Sequence, residues 1–363
     1  MRSDFECITA RRIYLRTILT QEMVAVPESI RKLFDLFPLV LHPVVPNTSV
    51  AQKRALENRK FYFEDVVGDK TEEEFFTLGV HNVVQLKNTG NRFIPTDPLS
   101  FASCLILCRK NGLRLPRASE AGRNLSKSSM IKLDYFASPD NQLPLLIEDN
   151  NKDDTREIRI YNSIKESIKK NSKLAKNGLV FMINEMIDID MADLWTMCLL
   201  QDIPSNSPLL FKEIFGLHHK KEESCLANQL AVVRLVQETP NWHQFHARYG
   251  YLFHTLMTKK VVSFKNRFFD KNLLEHLAFW DIKALAHLYD SKLRSFEEKL
   301  ELLIDFFSKR EVDEQNAVIE LKVVAFLIIC ASLLVPENKL HQLVTQPKYA
   351  AYMDKCYKIL GAF

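Results

Sequence analysis

The sequence predicts an α/β domain followed by an all-helical one. Three observations lead there. Up to about residue 173, runs rich in β-branched and aromatic residues alternate with turn and helix signals; from Leu174 onward, apolar residues recur every three or four positions; and Pro204, Pro208 and Pro240 punctuate that second half. At 363 residues and 47% apolar content the chain is long enough for two cores. A net charge of +4, spread along the chain, gives no basis for a nucleic-acid partner. Seven cysteines with no CxxC pair point to reduced thiols facing a cytosol.

Residues 1–30 read as an N-terminal extension. Arg2, Arg11, Arg12 and Arg16 interleave with Ile8, Ile13, Leu15 and Ile18 in a basic amphipathic pattern, diluted by Asp4, Glu6 and Glu22. A first domain spans 31–173 with an insert at 46–75. Pro38, Pro43 and Pro46 forbid a helix there and leave an extended lead-in or edge. The first sheet strand is either Arg59–Val67 or Phe75–Leu86. Thr89-Gly90-Asn91 then turns the chain.

Thr96 or Asp97 is a good N-cap with Pro98 at the first helical position, and Asn111-Gly112 is a left-handed stop, so a helix is expected between them. "LRLPRAS" reads as a strand and Glu120–Ser129 as a polar loop. "NQLPLLIED" is a short apolar strand that opens on Pro144, and Glu157–Ile160 is another, running into a helix started by Asn162 or Ser163. This order, β-α-β, loop, β-β-α, is thioredoxin-like, a fold that holds such a proline in cis.

From 174 to 363 the pattern is helical. Leu179, Ile183, Met186, Leu194 and Met197 share one spacing, and Leu293, Phe296, Leu300, Leu303 and Phe307 another. Leu321–Val335 falls short of the ~20 residues that cross a bilayer and includes Lys322, so it reads as a buried core helix. A thioredoxin-like domain followed by an all-helical one is the glutathione-transferase-like architecture.

Within that frame, "LFDLFPL" (Leu33–Leu39), "LGVHNV" (Leu78–Val83), "NTG" (Asn88–Gly90), "TDP" (Thr96–Pro98), "LCRKNGLRLP" (Leu107–Pro116), "LPLLIED" (Leu143–Asp149) and "ELKVVAFLIICAS" (Glu320–Ser332) form a linked set. The set resembles the smaller metaxin-related subunits of the fungal mitochondrial sorting and assembly machinery, the SAM or TOB complex. The resemblance implies a non-enzymatic, peripheral subunit on the cytosolic face of the mitochondrial outer membrane. It would bind the β-barrel core subunit and a second metaxin-like subunit, and help to receive β-barrel precursors. The alternative is a glutathione transferase, or a glutathione-binding relative, in the cytosol.

Glutathione chemistry needs a hydroxyl or thiol between first strand and first helix. That loop offers Thr89 and Thr96, and Thr96 is better explained as a cap. No cofactor and no metal site is expected: Cys104 and Cys108 lie on one helical face without partner ligands, and His218, His219, His243 and His246 read as surface residues. Glu185, Asp188, Asp190 and Asp193 read as a solvated helix face. The candidate partner surface is Phe37 and Leu39 with the helix lip Thr96, Asp97, Pro98 and Leu99, and the backbone at Leu143 and Pro144, open to an extended peptide. Lys165, Lys169, Lys170 and Lys173 are candidates for contact with anionic lipid.

Overall fold

The structure is a computed structural model. It describes residues 50–65, 74–86, 90–118, 125–134, 137–140, 142–150, 155–172, 177–203, 210, 213–216, 236, 239, 242–253, 282–309 and 314–363. The N-terminal extension, Phe37, Leu39, Thr89, Lys173, His218 and His219 lie outside these. The chain divides into two compact units, 1–56 and 57–363. In the first, the described residues form helix α1 (Val50–Glu57), which ends at the boundary.

The second unit holds a six-stranded mixed sheet. Its strands are β1 (Lys60–Asp65), β2 (Glu74–Val80), β5 (Leu113–Arg114), β6 (Leu125–Lys132), β7 (Leu145–Asn150) and β8 (Thr155–Arg159), while β3 (Val83–Leu86) and β4 (Arg92–Pro95) form a separate hairpin. The spatial order is β5-β1-β6-β2-β7-β8. Strand β2 runs parallel to β6 and antiparallel to β7, and β7 is antiparallel to β8. The parallel pair requires a crossover, which helix α2 (Pro98–Asn111) supplies. Both candidates for a first strand therefore contribute to the six-stranded sheet, as β1 and β2, while the rest of Phe75–Leu86 is β3 of the hairpin, beyond a break at His81-Asn82.

Helix α2 begins and ends as its sequence dictates. The Asp97 side chain accepts from the Ser100 amide, Pro98 occupies the first turn, and Gly112 closes the helix with φ 65°. The cap is thus Asp97, not Thr96. The bond between Leu143 and Pro144 is cis, directly before β7, as the sequence order predicts.

One strand is a correction. Leu125–Lys132, read as mostly polar loop, is β6, an interior strand of the sheet. Its serines hide it: Ser126, Ser128 and Ser129 are buried, and Ser128 Oγ accepts from the Phe76 amide at 3.2 Å. A small hydroxyl with a backbone partner can fill a core position that hydrophobic alternation does not register. "LRLPRAS" contracts to the two-residue β5. Helix α3 (Tyr161–Asn171) starts one or two residues before the expected caps, with Ile160 at the N-cap and no side-chain bond there.

Helices α4 (Gly178–Met197), α5 (Trp242–Tyr249), α6 (Ile282–Lys309), α7 (Glu314–Ser332), α8 (Lys339–Val344) and α9 (Ala350–Ala362) complete the described chain. In α6, Leu293, Phe296, Leu300, Leu303 and Phe307 are all buried, as their spacing predicts. Helix α7 is long and apolar enough to cross a membrane, yet residues 316–321 and 323–330 are buried against the protein itself, where α2, α4, α8 and α9 pack on it. It is the core helix the sequence predicts. In α4 the predicted stripe holds only toward its end: Leu194 and Met197 are buried, but Leu179 is exposed and Ile183 and Met186 are half-buried, and Val180, Ile187 and Met191 face the core in their place.

The end of the described chain is stitched to the hairpin. Arg92, buried, donates to the carbonyls of Leu360 and Gly361, and Phe363 O accepts from the Leu115 amide at 2.6 Å. A guanidinium on the last carbonyls of α9 also complements the helix dipole. Arg92→Met is expected to cost about 2 kcal/mol, the value of charge-assisted hydrogen bonds lost from a buried site. Thermal unfolding would measure it; an unchanged midpoint would mean that the terminus contributes nothing to the fold.

Candidate functional site

The sheet end that carries the cis proline is where the sequence places a partner site. The Gly79–Leu145 pair is the last in the β2–β7 register; the cis Leu143–Pro144 bond precedes it on one strand and His81 follows the end of the other. Next to them stand Asn82, whose carbonyl accepts from the Thr96 amide at 3.1 Å, and Thr96 itself at the mouth of α2. Three side-chain donors therefore converge at this end of the sheet, two from the β2–β3 break and one from the residue before the cap.

All three are engaged by the chain's own turn at 213–216. Asn82 Nδ2 donates to Glu213 O at 2.6 Å, Thr96 Oγ1 to Ile214 O at 3.0 Å, and His81 Nε2 lies 3.0 Å from Phe215 O. Three successive carbonyls are thus read, one by each side chain. Burial pulls the His81 pKa below its ordinary value, so the ring is neutral near pH 7, and its Nε2 carries the proton because a carbonyl can only accept. Ile214 and Phe215 are buried, the Phe215 ring meets the His81 ring at 5.6 Å, and Gly216 turns the chain with φ 62°.

This arrangement tells where each candidate residue stands. Thr96 is buried and its hydroxyl is committed to Ile214 O, so it is neither cap nor free nucleophile. Leu143, Pro144 and Pro98 are buried; Asp97 and Leu99 are half-exposed and form the accessible part of the lip. His81 and Asn82 belong to the cluster and were missed as site residues. Their signal was a polar pair interrupting the apolar run "LGVHNVV".

A second constellation lies on α4, and here the solvated-face reading is overturned. Asp188, Asp190 and Asp193 are all buried. Asp188 takes Lys322 of α7 at 2.7 Å and Lys165 of α3 at 3.2 Å; Asp190 takes Lys299 of α6 at 2.5 Å; Asp193 takes Arg248 and, at 3.0 Å, the Tyr249 hydroxyl of α5. Together the three acids tie α4 to α3, α5, α6 and α7, because an unpaired buried carboxylate would be far too costly. Lys169 pairs with Glu185 at 2.9 Å. Of the basic residues proposed for a lipid surface, Lys165 and Lys169 spend their charge within the protein, and Lys170 is exposed.

Cys104 and Cys108 are buried core thiols, and burial lifts the Cys108 pKa well above the ordinary thiol range. His243 and His246 are exposed on α5. Among the described residues no group of three or more His, Cys, Asp and Glu side chains is placed to hold a metal ion.

Comparison with known proteins bears on the same region. Residues 24–148 match the SAM35 family, described as a subunit of the SAM complex. The chain is also 30% identical over 197 residues to the Sorting assembly machinery 35 kDa subunit of Saccharomyces cerevisiae, which covers 53% of this chain and 57% of the yeast protein. It therefore spans little more than half the length of the curated relative it matches. The matched region holds β1 to β6, α2, the start of β7, and His81, Asn82, Thr96, Leu143 and Pro144. Over residues 24–148 the chain is similar to the SAM35 family, in line with the resemblance that the motifs of the first domain carry.

Proposed function

We propose that the chain is a non-enzymatic subunit of the mitochondrial SAM complex, peripheral on the cytosolic face of the outer membrane. In this reading it binds the β-barrel core subunit and a second metaxin-like subunit and helps to receive precursor β-barrels. The observation that carries it is the SAM35-family match over the segment that builds the sheet and the cis-proline end. The strand order β6-β2-β7-β8, with β2 and β6 parallel and the other neighbours antiparallel, supports a thioredoxin-like core within 31–173, and the helices from α4 onward a transferase-like second domain within 174–363.

In this scaffold a transferase would hold its thiol between the end of β2, the mouth of α2 and the cis proline. Here the turn at 213–216 fills that position and consumes the Thr96 hydroxyl, which disfavours the glutathione alternative. Docking then falls to surfaces around the closed site. The partly exposed lip at Asp97 and Leu99 is one, and Phe37 and Leu39 are proposed to extend it.

The test is affinity purification of the tagged chain from detergent-solubilised mitochondria. The β-barrel subunit and a second metaxin-like subunit are expected to come with it, and Phe37→Asp combined with Leu39→Asp to reduce their recovery while the fold is kept. Retention on glutathione resin, or a chain recovered in the soluble fraction without either partner, would sink the reading.

A further inference from the structure

At the opposite end of α2 from the closed site, a cleft of ≈ 390 Å³ opens between α2, β7, α3 and α7. We propose that it binds an anionic amphiphile, a single apolar chain headed by a phosphate or carboxylate. This goes beyond the assembly role and does not depend on it.

The floor is aliphatic: Ile106 of α2, Leu146 of β7, Ile164 and Ile168 of α3, and Val318 of α7. At the rim stand Arg109 and Lys110, from the last turn of α2, with Ser167 and Asn171 of α3 opposite. A volume in the range of small-molecule sites, an apolar floor and a few convergent polar groups are the ordinary features of a ligand pocket.

Charge selects the head group. Arg109 and Lys110 are exposed and have no ion-pair partner among the described residues; Lys170, beside Asn171, is in the same state. The one acid on the rim, Glu148, is already held by Arg159 at 2.6 Å. Helix α3 thus carries two kinds of lysine: Lys165 and Lys169 are neutralised by α4, and Lys170 is not. The C-termini of α2 and α3 each bring about half a negative charge to the cleft. Their final carbonyls are partly capped already, by the Gly112 amide, Asn111 Nδ2 and the Ser172 amide, so the two full cations of the rim, Arg109 and Lys110, prevail.

The floor selects the tail. A purely hydrophilic anion would gain nothing from the aliphatic floor, whereas each methylene of a tail buried against it contributes about 0.8 kcal/mol. A peptide would need backbone partners, and the rim has few to give: Asn171 Nδ2 is already directed at Ser167 Oγ, 3.4 Å away. A membrane phospholipid and a free fatty acid share the required chemistry.

The 363-residue chain is titrated with cis-parinaric acid, a fluorescent fatty acid, and separately floated with vesicles of phosphatidylcholine with or without phosphatidic acid. Saturable binding of the fatty acid is expected. Arg109→Ala with Lys110→Ala, both exposed and neutral to folding, is expected to weaken it at least about tenfold, the equivalent of one charge-assisted hydrogen bond. Ser167→Phe, which fills the cleft, is expected to abolish it. Flotation that depends on phosphatidic acid and is lost in the same variants assigns the source to a membrane; fatty-acid binding without flotation assigns it to a free acid. No saturable binding to either probe, or binding that neither variant changes, overturns the proposal.

Discussion

Asp188→Ala is expected to destabilise the chain by about 3–5 kcal/mol, the cost of leaving buried charge without its partner. Asp188 lies on α4 with almost no exposure, and two ammonium groups from different helices meet on it. Lys322 Nζ is 2.7 Å from Oδ1 and Lys165 Nζ 3.2 Å from Oδ2. Lys322 is itself only 10% exposed and has one further partner, Asn184 Oδ1 at 2.7 Å. Without the carboxylate, two cations would face each other across the α3–α4–α7 junction. Lys165→Met should cost less, because Lys322 still neutralises the acid. Asp188→Leu combined with Lys322→Met should recover most of the loss, since an apolar pair needs no compensating charge.

The pH dependence has a defined sign. Burial pushes the Asp188 carboxyl up, but the charges of Lys322 and Lys165 outweigh it and hold the pKa below its ordinary value of 3.8. A depressed folded-state value means stability that is fully present above the unfolded pKa and is lost as pH falls through the folded one. Wild type and Asp188→Ala should therefore differ most at neutral pH and converge below about pH 4. Denaturant midpoints measured across pH check both statements. A loss under about 1 kcal/mol at pH 7 would show that these charges reach water and form an ordinary surface pair.

The same acids mark the limit of what the sequence makes legible. Elements written in local backbone chemistry are readable: α2 from Asp97-Pro98 at one end and Asn111-Gly112 at the other, α6 from its apolar period, and the proline ahead of β7. Features that depend on distant partners are not. Asp188, Asp190 and Asp193 fit a solvated face as long as Lys322, Lys299 and Arg248 are unseen, and their sequence separations give no clue to the pairing. Strand β6 is lost for the same reason, because its buried Ser128 is satisfied by the Phe76 amide of the neighbouring strand. The sequence shows the polar pair His81-Asn82 inside an apolar run and Thr96 before the helix, but not what they bind, since their partners are main-chain carbonyls more than a hundred residues away. The lip residues Asp97 and Leu99 could be named because the cap that fixes them is local.

That cap yields the second large effect, of opposite sign to the first. Asp97 Oδ2 accepts from the Ser100 amide at 2.7 Å, while Oδ1 is sealed from solvent with no partner. Burial lifts the carboxyl to about 6, against the amides and hydroxyl at Ser100 and Leu99 that pull it down. A raised acid binds its proton more tightly in the folded chain, so the wild-type fold loses stability as pH climbs from 4 to 6 and carries a burden of about 3 kcal/mol above that window. Asp97→Asn keeps an acceptor for the Ser100 amide and remains a good N-cap, yet brings no charge into the sealed position. It is expected to raise the thermal midpoint at pH 7.5 and to flatten the profile between pH 4 and 6. Asp97→Ala removes burden and cap together, so its gain should be smaller by about 1 kcal/mol. A lower midpoint for Asp97→Asn at pH 7.5 would mean that the helix dipole holds the carboxylate more strongly than burial opposes it, and that Asp97 meets a partner as an anion.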